Sequence, residues 1–241
     1  PDELLDDAEG RVFKIAEREA RGRRGFRPIK ELLVDALDRI DELFQRDNPL
    51  TGVATGYYEL DSMTSGLQKS DLIIIAGRPS MGKTAFVLNI AQHLGVKTDM
   101  TIGVFSLEMS KEQLFLRMLT TEAEVDSHKF RGGFLGERDY AQLSAALGRL
   151  SEAKVFIDDS ASIGVLEMRA KARRLMSEHG LHLLVIDYLQ LMQGRGRFDN
   201  RTQELASISR SLKGLAKELN VPVLALSQLS RAPEGRAAFS S

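Results

Sequence analysis

The sequence contains no cysteine and no apolar run long enough to cross a membrane. The absence of cysteine excludes disulfide bonds and metal sites built from thiolates. A membrane helix needs about 20 consecutive apolar residues, and neither such a run nor a secretory signal sequence occurs. We therefore expect a cytoplasmic protein without a membrane partner.

Neither sign of charge is in excess. Lysine and arginine total 33, and aspartate and glutamate total 34. This balance argues against a protein that coats nucleic acid through bulk positive charge, but it is compatible with a local basic site. The apolar content of 43% in 241 residues suits one α/β domain with an appendage. Because the chain begins at Pro1 and not at a methionine, we interpret it as a fragment of a longer protein.

Residues 1–50 are predicted to form a helical linker region. Apolar residues recur at helical spacing within 1–20, and the arginines and glycines of 21–27 indicate a mobile basic linker or simply a solvated charged run. A second amphipathic helix is predicted over Ile29–Phe44. Its apolar stripe must be covered, and the pattern alone favours packing on its own domain over docking on a neighbouring subunit.

From Thr51 onward, short apolar runs alternate with helical segments, which is typical of βαβ units and a parallel sheet. The predicted strands are 72–76, 102–106, 155–157, 183–187 and 221–227. The predicted helices are 83–93, 111–122, 137–146, 165–178 and 203–219. The expected fold is an α/β domain over 51–241 with a mainly parallel, twisted sheet flanked by helices.

A phosphate-binding loop follows the first predicted strand. Its pattern, G-x-x-x-x-G-K-S/T, is matched in full by Gly77-Arg78-Pro79-Ser80-Met81-Gly82-Lys83-Thr84. Glycines let backbone N–H groups turn toward phosphate oxygens, and the helix that follows adds positive potential at its N-terminus. Lys83 can reach the β- and γ-phosphates of ATP, and Thr84 can offer its hydroxyl to Mg²⁺. The predicted nucleotide-binding residues are Gly77, Ser80, Met81, Gly82, Lys83 and Thr84.

Two carboxylates follow two other predicted strands. Asp187 ends an apolar strand, the position from which it can orient Mg²⁺ and its waters. The next residue, Tyr188, is not acidic, so the base that activates water must come from elsewhere. Glu108 ends another strand, just before a capping box formed by Ser110 and Gln113. Taken alone Glu108 is equally a structural cap, but beside the other two motifs it is the expected catalytic base.

Gln228 ends the last predicted strand. It can donate to a γ-phosphate and report its loss to the following loop, or it can be an ordinary strand end. We group it with Glu108 and Lys83 as a candidate catalytic residue. The Asn-Lys-x-Asp motif of GTPases and the Leu-Ser-Gly-Gly motif of transporter ATPases are absent, which favours the RecA-like branch of P-loop proteins.

These motifs together resemble the bacterial replicative hexameric helicases of the DnaB type. The resemblance extends from about Thr51 to Arg231, and it is carried by the segments 51–67, 77–84, 105–109, 169–174, 185–192, 208–213 and 227–231. It implies a RecA-like, ring-shaped, usually hexameric motor that binds ATP and Mg²⁺ between adjacent subunits. It also implies movement along encircled single-stranded DNA and separation of the duplex ahead.

A basic, glycine-rich loop follows the strand that ends in Asp187. It contains Arg195, Arg197 and Arg201 together with Phe198. Arginines can follow a phosphate backbone without reading its sequence, so we predict contact with single-stranded DNA. The alternative is a solvated surface loop.

Further consequences come from the resemblance alone. The linker helix Ile29–Phe44 is implied to dock on the next subunit of the ring, which reverses the preference drawn from its pattern. Primase and a helicase loader are candidate partners, although the sequence indicates neither their contacts nor ring size, direction of travel or nucleotide preference. The residues after Arg231 do not resemble the continuation of the family, so its second DNA loop and arginine finger are not visible. We therefore expect weak or no hydrolysis by this stretch alone.

Two other interpretations stay open at this stage. Another RecA-like ring ATPase, of the recombination or clock type, would share the same motifs, but its hydrolysis need not respond to single-stranded DNA. A nucleotide-binding interaction module would bind ATP and partner proteins without catalysis. A small-molecule kinase is disfavoured because no second substrate site is recognisable.

Overall fold

A computed structural model of the chain describes residues 28–30, 33, 37, 40, 50–194, 198 and 200–229. The chain divides into two units, Pro1–Pro49 and Leu50–Ser241. In the first unit, the described positions from Ile29 to Ile40 are helical. The helix predicted over Ile29–Phe44 is therefore present at these positions. The helical spacing noted within 1–20 and the basic run at 21–27 lie outside the described residues.

The four described apolar residues of this helix share one feature: their side chains are exposed. Their spacing places them on one face of the helix. They are Ile29, Leu33, Leu37 and Ile40.

Within the described part of the second unit, five strands form one parallel sheet. They are β1 (Leu72–Gly77), β2 (Ile102–Ser106), β3 (Val155–Asp158), β4 (Leu183–Asp187) and β5 (Val223–Gln228). Their order across the sheet is β1-β5-β4-β2-β3, and every neighbouring pair is parallel. All five strands therefore end at the same edge of the sheet, where ligands bind in α/β proteins. The predicted parallel α/β architecture is confirmed.

Helices connect the strands and cover both faces of the sheet. They are α1 (Tyr58–Thr64), α2 (Lys83–Lys97), α3 (Lys111–Glu122), α4 (Ser127–Gly132), α5 (Glu137–Glu152), α6 (Val165–His179) and α7 (Arg201–Leu219), with a 3₁₀ turn at Leu189–Leu191. Of the helices that the structure describes, none is both long and apolar enough to span a membrane.

The core lies on the two faces of the sheet, and β4 contributes to both. Leu184 and Ile186 pack into a cluster with residues of α6 and α7. Leu183 and Val185 pack into a second cluster with residues of α2. Successive side chains of a strand point to opposite faces, so a central strand covered on both sides must be apolar throughout. This requirement explains the unbroken apolar run that precedes Asp187.

The predicted strands and longer helices are all present, with differences at their ends. The last strand begins at Val223 and not at Val221. Val221 donates its N–H to Ala216 O at the end of α7, and Pro222 has no N–H to donate. The short helices α1 and α4 were not predicted, because six or seven residues show too little periodicity.

Helix α1 is held by a buried carboxylate. Asp61 accepts hydrogen bonds from Thr55 N at 2.8 Å, from Thr55 Oγ1 at 2.8 Å and from Gly56 N at 3.2 Å. Its side chain is 7% exposed. A buried carboxylate with three donors fixes the path of the chain that leads to β1.

Asp61→Ala is expected to lower the free energy of unfolding of this chain by about 2–4 kcal/mol. The substitution leaves the N–H and hydroxyl groups of the buried Thr55 without their acceptor, and it also removes the acceptor of Gly56 N. Urea unfolding followed by circular dichroism measures the change. Glu59→Ala removes an exposed carboxylate from the same helix, and its effect is expected to stay within about 0.5 kcal/mol. Equal effects of the two substitutions would contradict this account of α1.

Candidate nucleotide-binding site

The phosphate-binding loop leaves β1 and enters α2 through two residues with positive φ. Ser80 has φ 63° and Gly82 has φ 82°. A Cβ on Gly82 would meet nothing within 4 Å, so its backbone angle, and not crowding, is what favours glycine. Ser80, Met81 and Gly82 are exposed, and Gly82 is the N-cap of α2. The loop therefore presents backbone to solvent directly at a helix N-terminus.

The side chain of Lys83 folds back over the phosphate-binding loop. Its ammonium group donates to Gly77 O at 2.9 Å and to Arg78 O at 2.8 Å. A Cβ on Gly77 would lie 3.3 Å from Lys83 Cδ, so the absence of a side chain there makes room for the lysine. The positive charge is thus held above the loop by carbonyl oxygens, which phosphate oxygens can replace.

A hydrogen bond between Thr84 and Asp187 joins two parts of the site that are distant in the sequence. Thr84 Oγ1 donates to Asp187 Oδ2 at 2.7 Å, although the two residues are 103 positions apart. Both oxygens belong to groups that coordinate Mg²⁺ or its waters in P-loop proteins. Their convergence beside the loop fits the predicted Mg²⁺ position.

Asp187 is buried, with 5% of its surface exposed. Burial raises the pKa of its carboxyl above the ordinary value, and the charge of Glu108 raises it further. The hydrogen bond from Thr84 acts in the opposite direction, as do two nearby positive charges, those of Lys83 and Arg117. Burial of the neighbouring Tyr188 raises the pKa of its hydroxyl, and the charges of Glu108 and Asp187 raise it further.

Glu108 is brought beside Asp187 by the pairing of β2 with β4. Ser106 lies opposite Asp187 in the register, and Leu107 N donates to Asp187 O at 2.7 Å. The turn that carries Glu108 is closed by Ser106 Oγ, which donates to Met109 O at 2.7 Å and accepts from Met109 N at 3.3 Å. The Glu108 side chain is exposed, in contrast to the buried Asp187.

The start of α3 holds this turn from the other side. Ser110 and Gln113 form the predicted capping box, with bonds of 3.3 Å and 3.2 Å. Asp159, just after β3, accepts from Lys111 N at 3.1 Å. Sequence analysis did not single out Asp159. The available signal was an acidic residue at the end of a strand, as for Glu108 and Asp187.

Gln228 lies between the phosphate-binding loop and Asp187. It pairs with Gly77 in the register of β5 with β1, and Leu229 N donates to Gly77 O at 3.1 Å. The strands β1, β5, β4 and β2 are consecutive neighbours in the sheet. Four predicted elements of the site therefore follow one another along one edge: the loop, Gln228, Asp187 and Glu108.

Of the three predicted DNA-binding arginines, Arg195 and Arg197 lie outside the described residues. Arg201 begins α7, and its guanidinium donates to Gln190 O at 2.6 Å and to Met192 O at 3.1 Å. It also pairs with Glu204. Arg201 thus braces the base of the loop, and its contact with DNA stays a prediction.

Gln190, also missed by sequence analysis, connects this region to β5. Its side-chain amide bonds to Ser227 and to the backbone of Gln228. No local pattern marks a glutamine in a single 3₁₀ turn as functional, because its partners are about forty residues away in the chain.

A family model for the DnaB-like helicase C terminal domain matches residues 52–239. The chain belongs to this family. The predicted resemblance to DnaB-type helicases is thereby confirmed over most of the chain.

Curated relatives agree with this assignment. Replicative DNA helicase DnaB of Geobacillus stearothermophilus is 52% identical over 98% of this chain and 52% of its own length. Replicative DNA helicase DnaC of Bacillus subtilis is 50% identical over the same shares. The chain thus spans about half the length of these relatives.

Solved structures show the same fold. A solved ATPase domain superposes with a TM-score of 0.80 at 37% identity, over 90% of this chain and 76% of that one. A DnaB-like replicative helicase, in a structure that describes its interactions with primase, gives 0.76 at 36% identity over 93% and 54%. The RecA-like P-loop fold predicted from the sequence is therefore confirmed.

The raised pKa of Asp187 predicts an unusual effect of its removal. The folded chain binds this proton more tightly than the unfolded chain, so the free energy of unfolding falls as pH rises above the unfolded value of about 3.9. Asp187→Asn removes the buried charge and still offers an oxygen to Thr84. Without nucleotide and Mg²⁺, the variant is expected to be more stable than the parent at pH 7, with a smaller difference at pH 4.

Urea unfolding at the two pH values tests this expectation. Asp99→Asn is the control, because Lys154 lowers the pKa of this exposed carboxyl and its loss should not stabilise the chain. Added ATP and Mg²⁺ should reverse the order by stabilising the parent more than the variant. If Asp187→Asn is less stable than the parent at pH 7 without ligand, burial of the ionised Asp187 carboxylate does not destabilise the chain.

Proposed function

We propose that the chain is the motor part of a replicative DNA helicase, which couples ATP hydrolysis to movement along single-stranded DNA and to unwinding of the duplex. The observation that supports this most is the series of loop, Gln228, Asp187 and Glu108 along the carboxyl ends of four neighbouring strands. We propose DNA as the substrate because the chain is similar to proteins named replicative DNA helicases.

The triphosphate is bound by the exposed loop and by Lys83. Backbone N–H groups around Gly82 face the position that phosphates occupy at a helix N-terminus. The Lys83 ammonium exchanges the carbonyl oxygens of Gly77 and Arg78 for oxygens of the β- and γ-phosphates. Thr84 and Asp187 would hold Mg²⁺, which when bound neutralises negative charge that builds up on the phosphates.

We assign Glu108 as the base that accepts a proton from the attacking water. Its carboxylate is exposed beside the buried Asp187, which accords with a residue that takes up a proton from water. The water oxygen bonds to the γ-phosphorus while the bond from that phosphorus to the β–γ bridging oxygen breaks, leaving ADP and phosphate. Gln228 senses the γ-phosphate from the neighbouring strand end.

We extend the proposal to the assembly. Residues 1–50 serve as a helical linker and 51–241 as the ATPase domain in a hexameric ring. The exposed face with Ile29, Leu33, Leu37 and Ile40 suits docking on the next subunit. Primase is a proposed partner because a similar DnaB-like helicase has been solved with its primase interactions, and a loader is proposed from the resemblance alone. The proposed location of this protein is then the bacterial cytoplasm, at the nucleoid.

Glu108→Gln is expected to lower ATP turnover about 100-fold or more in the full-length protein with single-stranded DNA. The amide cannot accept a proton from water, whereas the affinity for a non-hydrolysable ATP analogue should change less than about threefold. Steady-state ATPase assays with and without DNA measure the first quantity, and analogue titration measures the second. Glu112→Gln makes the same charge change at an exposed position of α3 and should leave turnover near the parent value.

Three results distinguish the alternatives. Parent turnover that does not respond to single-stranded DNA would contradict the helicase proposal and favour another ring ATPase. Parent turnover that is DNA-stimulated but unchanged in Glu108→Gln would remove Glu108 from catalysis. No turnover by the full-length parent would favour a nucleotide-binding interaction module.

Arg195→Ala combined with Arg197→Ala is expected to weaken binding to single-stranded DNA and to flatten its dependence on salt. Loss of two phosphate contacts should reduce the slope of log K against log salt by about 1.4 units, at about 0.7 per contact. Fluorescence anisotropy across a salt series measures the slope. A control with Arg138→Ala and Arg174→Ala removes the same charge from exposed positions of α5 and α6. Equal slopes in both double variants would exclude the loop from DNA binding.

A further inference from the structure

We infer that Gln190 is a positioning residue that couples the nucleotide site to the DNA-facing loop. It does so by joining the end of β5 and the base of that loop into one hydrogen-bonded unit, here called the Gln190 clasp (Gln190, Ser227, Gln228 and Arg201). The inference rests on the proposed function, because it requires a chain that binds both ATP and single-stranded DNA.

The first half of the clasp holds the end of β5. Gln190 Nε2 donates to Ser227 Oγ at 3.0 Å and to Gln228 O at 2.9 Å. Gln228 N donates to Gln190 Oε1 at 3.2 Å. Both amide protons and the amide oxygen of Gln190 are thus used, and two of the three bonds go to the backbone of Gln228. The side chain of Gln228 takes no part in these bonds, so it can still respond to a phosphate.

The second half of the clasp holds the loop. Gln190 O accepts from Arg201 Nη2 at 2.6 Å, and Arg201 also donates to Met192 O. Glu204 pairs with Arg201 and accepts from Gly194 N at 2.8 Å. The loop starts near Gly194, which is tied to Glu204 of α7, and it ends at Arg201, which is tied to the segment that carries Gln190.

The backbone around Gln190 is held by core packing and by a backbone bridge. Leu189 is 4% exposed and packs in the core beneath the sheet. Gly164, just before α6, forms a parallel bridge with Gln193. The Gln190 turn begins two residues after Asp187, so it is joined directly to the strand of the proposed Mg²⁺ site.

These contacts form a continuous path between two sites. A shift of Gln228 on gain or loss of the γ-phosphate either breaks the bonds to Gln190 or moves the 3₁₀ turn with it. Movement of that turn displaces the acceptor of Arg201 and hence the end of the loop. Packed interiors and bonded networks change between discrete arrangements, so such a unit can transmit a two-state signal.

Gln190→Met tests the inference in the full-length protein. Methionine has a similar length, but it cannot donate to Gln228 O or Ser227 Oγ. The affinity for a fluorescent single strand is measured without nucleotide and with a non-hydrolysable ATP analogue, and the affinity for the analogue is measured with and without the strand. Linkage requires both ratios to equal one coupling factor, which typically lies between about 5 and 150.

We expect the parent to show the same coupling factor in both directions and Gln190→Met to bring both ratios close to 1. The DNA affinity without nucleotide should change less than about threefold. A merely structural residue would change both affinities and leave their ratio intact. Gln142→Met, a half-buried glutamine of α5, is the matched control and should keep the parent ratio.

Ser227→Ala provides a milder second variant, which keeps the inference testable if Gln190→Met does not fold. It removes one acceptor of the clasp and should reduce the coupling factor about twofold to tenfold. A parent-like coupling factor in Gln190→Met, or in Ser227→Ala if only that variant folds, overturns the inference and leaves the helicase proposal standing. Absence of coupling in the parent itself, together with turnover that ignores DNA, counts against the helicase proposal instead.

Discussion

The hydrogen bond between Thr84 and Asp187 marks the constraint on which the site depends. It joins the first turn of α2 to the end of β4 across 103 residues of sequence. The contact exists because β1 and β4 are parallel and separated in the sheet only by β5, so their carboxyl ends open at the same edge. The phosphate-binding loop, the proposed metal position and the proposed base are all placed relative to this contact.

The ionised carboxylate of Asp187 at this edge of the sheet is unfavourable in the folded chain. Asp187 ends an entirely buried strand, and burial together with the charge of Glu108 disfavours its ionised form. A bound Mg²⁺ would offset this cost by supplying positive charge. A site that is destabilised when empty and stabilised when filled is suited to a motor, because binding free energy is then available for conformational change. Glu108, in contrast, is exposed at the same edge of the sheet.

Sequence patterns predicted the elements of the site better than their connections. Each of Lys83, Glu108, Asp187 and Gln228 terminates or follows a strand that its apolar run revealed. The helices α1 and α4 escaped prediction because they are short, and α1 depends on the buried Asp61, whose bonds to Thr55 and Gly56 are not a periodic signal. Arg201 is predicted to contact DNA because of its basic surroundings, and the structure adds that its guanidinium donates to carbonyl oxygens at the base of the loop. Charge composition identifies such a loop, but the hydrogen bonds that hold its base are visible only in the structure.

The sequence by itself determined which segments are strands and helices, which loop carries the phosphate-binding motif, and which family the chain resembles. These are properties of local periodicity and of short motifs, in which residues that act together lie within one turn or one strand. Only the tertiary structure decided that β1, β5, β4 and β2 are neighbours in that order, and that Gln190 reaches the end of β5 while its carbonyl holds Arg201. Strand order and long-range hydrogen bonds result from the packing of both sheet faces at once, and no local pattern records the outcome of that packing.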